Sequence, residues 1–161
     1  SACHRHIRTQ CEALLDLAQN LPHYVDQGTA PGLARSILHE LDTWMARHHA
    51  DEESGLFPTL IESMAGSDAV CLRGMTQHAC DEHRTLESIW RKPLRMLLEQ
   101  IADHEPASLP VAATQAFTTR YLELIAHEDD ELLPMAERLL TDNEIDTLRH
   151  RMQARQAERP A

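Results

Sequence analysis

The sequence predicts an all-α protein, an antiparallel up-down-up-down four-helix bundle with a short C-terminal fifth helix. The composition favours helix, since aromatic residues make up only 4 % of the chain and there are five glycines, while Leu, Ala, Glu and Arg abound. Apolar residues recur at helical spacing along four long stretches, and no stretch alternates as a strand does. Short breaks separate these stretches, which favours antiparallel neighbours.

The helices are predicted in order along a single 161-residue domain. The first ends before Pro22, and Thr29 caps the second. Gly66 marks the break before the third helix, and the loop His104–Pro110 separates the third from the fourth. The segment Thr141–Glu144 forms a capping box that opens the tail helix. The predicted helices span about 2–21, 30–64, 68–102, 111–140 and 142–156.

The charge and the cysteines limit the partners and the compartment. Fifteen basic against twenty-six acidic residues give a net charge of -11, which argues against nucleic acid and anionic membranes as partners. Cys3, Cys11, Cys71 and Cys80 form no C-x-x-C pair, which predicts buried thiols in a reducing compartment. No stretch approaches the roughly 18 apolar residues of a membrane span, and no signal peptide is visible. We therefore predict a cytoplasmic protein.

Two eleven-residue blocks, 48–58 and 124–134, follow one template. Alanine, two acids, leucine, a bulky apolar residue and proline recur at matching positions. In the first block His48 precedes Glu52 by four residues, which places both side chains on one helical face, a spacing suited to a metal. The second block retains Glu128 but has Leu124 in place of the histidine. The blocks are therefore symmetrical in their carboxylates and asymmetric in their histidines.

Three prolines fall inside predicted helices: Pro58, Pro93 and Pro134. A proline in a helix removes one hydrogen bond, and its ring clashes with the preceding turn, so each should kink or interrupt its helix. Pro58 and Pro134 end the two blocks, and we expect their interruptions at equivalent points.

Helical phase separates inward-facing from solvent-facing histidines. His127 lies at the edge of the inward face, as do His49 and Glu53, whereas His78 points away and is predicted to be a surface residue. One inward histidine alone is usually a hydrogen-bonded core residue. Inward groups on all four helices, including carboxylates that are costly to bury without a cation, indicate a metal site instead. The predicted metal ligands are His4, His48, Glu52, His83 and Glu128.

These motifs resemble the hemerythrin-like, HHE cation-binding family over essentially the whole chain. The resemblance rests on His4 near the start, His48-x-x-x-Glu52-Glu53 with Leu56-Phe57-Pro58, Asp81-Glu82-His83 with Trp90, and Glu128-x-x-x-Leu132-Leu133-Pro134. Ferritin-like proteins are the nearest competitor, but their Glu-x-x-His signature is missing from the sequence.

The resemblance implies a non-haem di-iron centre bridged by Glu52 and Glu128, with His4, His48 and His83 as terminal ligands. Another divalent metal is an alternative. Family members are linked to the binding or sensing of dioxygen, to nitric oxide, and to iron and stress handling, so dioxygen or nitric oxide is the expected small ligand.

Leu124 departs from the family pattern, which has a histidine there. Three outcomes are open. In the first, His127 turns inward as a replacement ligand, with Glu131 as its partner in a shifted His-x-x-x-Glu pair. In the second, the site binds one metal ion firmly and another weakly. In the third, an exogenous ligand occupies the coordination position that the histidine would fill.

Three functions remain from the sequence. The first is a metal-binding protein that binds or senses a diatomic. The second is a di-metal redox enzyme (an oxidase, a peroxidase or a nitric-oxide-handling centre) that uses Cys80 near His83. The third is a regulatory or structural bundle whose metal only stabilises the fold. The sequence contains no nucleophile triad and no nucleotide loop, which argues against elaborate catalysis.

Overall fold

The computed structural model describes residues 2–64 and 67–157, and helices dominate this part of the chain. No strand occurs in it, which confirms the predicted all-α class. Four long helical segments plus shorter helices, within the described residues, agree with the predicted four-helix bundle. The α-helices are α1 (Ala2–Gln19), α2 (Leu21–Asp26), α3 (Ala30–Asp51), α4 (Phe57–Ser63), α5 (Ser67–Ile89), α6 (Arg95–Ala102), α7 (Val111–His127), α8 (Leu133–Leu139) and α9 (Asp142–Ala157).

Wide π-helical turns join several of these helices: π1 (Glu52–Leu56), π2 (Trp90–Leu94) and π3 (Glu128–Leu132). In π1 the N–H of Phe57 bonds to the carbonyl of Glu52, one residue further back than in an α-helix. The corresponding bond in π3 joins Leu133 to Glu128. Each π turn contains or closely precedes a proline, and the extra residue in the turn relieves the clash between the proline ring and the preceding turn.

The start of the chain differs from the prediction after α1. The predicted helices 2–21 and 30–64 left Pro22 between them, outside any helix. It lies instead in the first turn of the short helix α2. A proline fits there because the N–H that it lacks has no partner inside the helix anyway. The predicted break at Gly66 lies outside the described residues.

The chain divides into two compact units by backbone contacts, unit 1 (Ser1–Met45 with Arg84–Ile125) and unit 2 (Ala46–His83 with Ala126–Ala161). Unit 1 has an aromatic core in which Trp90 stacks on Phe117 at 5.9 Å between ring centroids. The Trp90 indole donates a 2.7 Å hydrogen bond to Asp42, which also accepts from Arg95. This carboxylate therefore pairs the polar end of a buried ring with a guanidinium.

Unit 2 contains the two repeated turns π1 and π3. The helix α4, which follows π1, contacts α8, which follows π3, and α9 contacts π1. The predicted capping box is present at the start of α9: the Thr141 N–H donates to the Glu144 carboxylate at 2.8 Å, and the Glu144 N–H donates to the Thr141 hydroxyl at 3.4 Å. In the described part of the chain, every helix is too short or too polar to cross a bilayer.

Candidate metal centre

The π turns of unit 2 each begin with a buried carboxylate. Glu52 is the first residue of π1, and Glu128 is the first residue of π3. Their exposed fractions are 4 % and 1 %. Because π-helical turns are often found at functional sites, their occurrence at equivalent points of the repeat makes these two glutamates the natural centre of the site.

Two histidines of unit 2 contact this pair of carboxylates. The Nε2 atom of His48 lies 3.7 Å from Glu52 Oε2 and 3.6 Å from Glu128 Oε2. The Nε2 atom of His83 lies 3.2 Å from Glu52 Oε2 and 3.6 Å from Glu128 Oε1. Both imidazoles are buried, His83 to 1 % exposure. Four potential ligands thus converge inside one unit.

Three of these four separations are longer than a hydrogen bond. A hydrogen bond from nitrogen to oxygen is about 2.9 Å long. Ligands that share one metal through bonds of about 2.1 Å lie about 3.0 to 3.4 Å apart, which is close to the distances in this cluster. Glu52 Oε2 and His83 Nε2 are buried and make no hydrogen bond. Since a buried polar atom without a partner costs free energy, this donor set fits a bound cation.

The other nitrogen of His83 is held by Glu53. The Nδ1 atom lies 2.9 Å from Glu53 Oε1. Because an ionised carboxylate only accepts, Nδ1 carries the proton of a neutral His83, and the lone pair is then on Nε2, toward Glu52 and Glu128. A carboxylate that orients a histidine in this way commonly supports metal ligands in proteins.

The ring of His83 also stacks on His49. The centroids of the two imidazoles lie 3.8 Å apart with 12° between their planes. Phe57 is nearly parallel to the His83 ring at 6.2 Å. Burial lowers the pKa of His49 to about 2, and the neighbouring His83 and His48 contribute to the shift. His49 is therefore neutral and packs against His83 without adding charge.

The pKa of His83 moves in the opposite direction. Burial favours the neutral ring, but the carboxylates of Glu128, Glu52 and Glu53 outweigh burial and raise the pKa of His83 to about 9. Below that pH the His83 ring of the metal-free protein carries a second proton and is positively charged. The proton partly neutralises the glutamates, as a cation would.

His4 is buried on α1, with 3 % of its surface exposed, and belongs to unit 1. Its inward orientation agrees with the helical phase, and its role as a ligand remains a prediction. Leu124 is also buried in unit 1 and carries no ligand atom.

The structure places His127 next to Glu131, with 3.3 Å between Nδ1 and Oε1. Neither residue belongs to the group of convergent ligand atoms found among the described residues. Their participation in the buried centre also remains a prediction.

Sequence reasoning placed His49 and Glu53 only at the edge of the inward face. His49 directly follows His48, and Glu53 directly follows Glu52. This adjacency to two predicted ligands was the only indication in the sequence that they contribute to the site. Their contacts with His83, which lies on α5, depend on packing between segments and could not be obtained from helical phase.

Comparison with known proteins gives one match. The family model described as "Hemerythrin HHE cation binding domain" matches residues 1–136. The match covers π1 and π3 and all the predicted ligands. No significant match was found among curated proteins or solved structures.

Proposed function

The chain belongs to the hemerythrin HHE cation-binding family, and we propose that it holds a non-haem iron centre that binds or senses dioxygen or a related diatomic such as nitric oxide. The observation that carries the proposal is the buried cluster in unit 2. There His48 and His83 each lie within 3.7 Å of a buried glutamate. Imidazole and carboxylate together suit iron.

In this proposal Glu52, Glu128, His48 and His83 would hold the iron, and His4 would be a further ligand. Bound iron would supply an open coordination position for a diatomic molecule. The two carboxylates neutralise the metal charge in a buried site, where Coulomb interactions are strong.

The surrounding residues prepare the site before metal binds. Glu53 holds Nδ1 of His83, so that Nε2 faces Glu52 and Glu128 and binds a cation once its proton has left. His49 and Phe57 lie along the ring of His83 and restrict its rotation. Because these contacts exist without metal, little reorganisation is needed when it binds.

The proposal is tested by anaerobic reconstitution with ferrous iron, elemental analysis, and exposure to dioxygen or nitric oxide. We expect bound iron and a charge-transfer absorption that responds to the gas. Glu52→Gln should lose most of the iron, whereas Glu62→Gln, an exposed glutamate on α4, should retain it. Failure of the wild-type protein to retain iron would contradict the proposal.

Iron that is retained without any spectral response would favour a metal that only stabilises the fold. Turnover of hydrogen peroxide or nitric oxide that is lost in His83→Ala would favour a redox enzyme. The Leu124→His variant gives a further comparison. A rise in metal content from about one to about two ions per chain would show that leucine at this position limits the second site.

A further inference from the structure

We propose that His78 and His127, supported by Glu131, form a second cation site that is separate from the buried cluster. His78 lies on α5, His127 ends α7, and Glu131 lies in π3. All belong to unit 2. The expected ligand is a divalent cation that prefers nitrogen and oxygen donors, such as Zn²⁺ or Fe²⁺. The site does not depend on the proposed function of the buried centre.

His127 is arranged like a metal ligand. Its Nδ1 atom lies 3.3 Å from the carboxylate of Glu131. Its Nε2 atom is buried and makes no hydrogen bond. His83 shows a related but tighter arrangement, with a 2.9 Å hydrogen bond from Nδ1 to Glu53 and a buried Nε2 that faces Glu52 and Glu128. A carboxylate beside Nδ1 favours a proton on that nitrogen, so that Nε2 is the nitrogen left to bind a cation.

His78 supplies the second imidazole. Its centroid lies 6.0 Å from that of His127, with 77° between the ring planes. Two imidazoles that share a tetrahedral cation through bonds of about 2.0 to 2.1 Å have centroids about 5 Å apart. His78 is exposed, so its side chain has room to rotate toward His127.

The chemistry of the cluster selects the cation. Imidazole ligands favour Zn²⁺ and Fe²⁺ over Mg²⁺ and Ca²⁺, which prefer oxygen. The run Glu128–Glu131 is entirely acidic and gives a negative local potential that attracts a cation. Because His78 and Glu131 are exposed, the bound ion exchanges with solvent more readily than one in the buried cluster.

Zn²⁺ titration of the metal-free full-length chain tests this site, followed by long-range ¹H–¹⁵N correlation spectra that report each imidazole nitrogen. We expect the Nε2 signal of His127 and a ring signal of His78 to shift together. His78→Ala should weaken this binding at least tenfold and leave the buried centre loaded. The matched control is His150→Ala, an exposed histidine on α9 that bonds to the carbonyl of Asp146.

The combined variant Glu52→Gln, His83→Ala separates the two sites. It disables the buried centre, and the response of His78 and His127 to Zn²⁺ should persist. Unchanged Zn²⁺ affinity and stoichiometry in His78→Ala would overturn the proposal. So would loss of buried metal in His127→Ala with no effect of His78→Ala, because His127 would then serve the buried centre. Failure of the buried centre to take up iron would leave this result untouched.

Discussion

Glu53 accepts a 2.9 Å hydrogen bond from Nδ1 of His83, although 30 residues separate the two in sequence. His83 is almost fully buried, whereas the side chain of Glu53 is 36 % exposed. The bond thus links the rim of unit 2 to its buried cluster. It also sets the tautomer in which a neutral His83 can bind a metal.

Glu53→Ala should therefore weaken metal binding about 10- to 100-fold, the usual effect of losing a residue that orients a ligand. Glu53→Gln should lose less, because its amide oxygen can still accept from Nδ1. Competition with a chromophoric chelator measures both affinities, and Glu62→Ala is the control. Equal affinities for wild type and Glu53→Ala would show that the bond does not position His83.

Metal binding should release a proton from His83. Its pKa of about 9 means that the metal-free protein holds this proton at pH 7, and it must leave before Nε2 can bind a metal. Calorimetry in two buffers of different ionisation enthalpy should detect about one proton per chain from this residue when the centre is filled. The metal affinity should rise about tenfold per pH unit up to pH 9 and then level off.

His49 should add nothing to that proton count, since its pKa of about 2 keeps it neutral. His150→Ala should leave the proton count unchanged, because His150 is an exposed residue on α9. Proton release near zero at pH 7 would contradict the assignment of the proton to His83.

Loss of Asp42 should destabilise unit 1. Asp42→Ala removes the acceptor of the Trp90 indole, and a buried donor without a partner costs about 1 to 3 kcal/mol. Asp42→Asn keeps an acceptor oxygen and should cost less. Urea denaturation measures both free energies of unfolding. Arg91→Ala is the control, because its exposed pair with Glu87 is worth at most about 1 kcal/mol.

Cys11 should make stability depend on pH in the alkaline range. Burial raises the pKa of the Cys11 thiol from 9.0 to about 12. The folded state then holds the proton more tightly than the unfolded state, so this contribution is complete below pH 9 and is lost as the pH rises toward 12. Urea denaturation of Cys11→Ala should show a shallower loss of stability above pH 9 than that of the wild type.

Thiol labelling gives a second test of the burial of Cys11. Cys71 is exposed and should react with a thiol reagent in the folded protein at pH 8, whereas Cys11 should react only after unfolding. Rapid labelling of Cys11 in the folded protein would contradict its burial.

The internal repeat allowed the burial of several candidate ligands to be predicted. His48, Glu52 and Glu128 lie in phase with the apolar residues of their own helices, and burial of a helix face follows this local pattern. The positions of Pro58 and Pro134 likewise indicated where the helices would be interrupted. Sequence did not predict that the interruptions are π turns that begin at the two glutamates, because the turn type depends on how the helix continues beyond the proline.

The sequence by itself determined the helical class, the buried faces and the acidic and imidazole groups on them, because these depend on spacing within one helix. Only the tertiary structure decided that Glu53 bonds to His83, that His49 stacks on it, and that His78 lies beside His127. Those pairs join different helical segments, and residues at the edge of a helix face acquire a partner only when another helix packs against them.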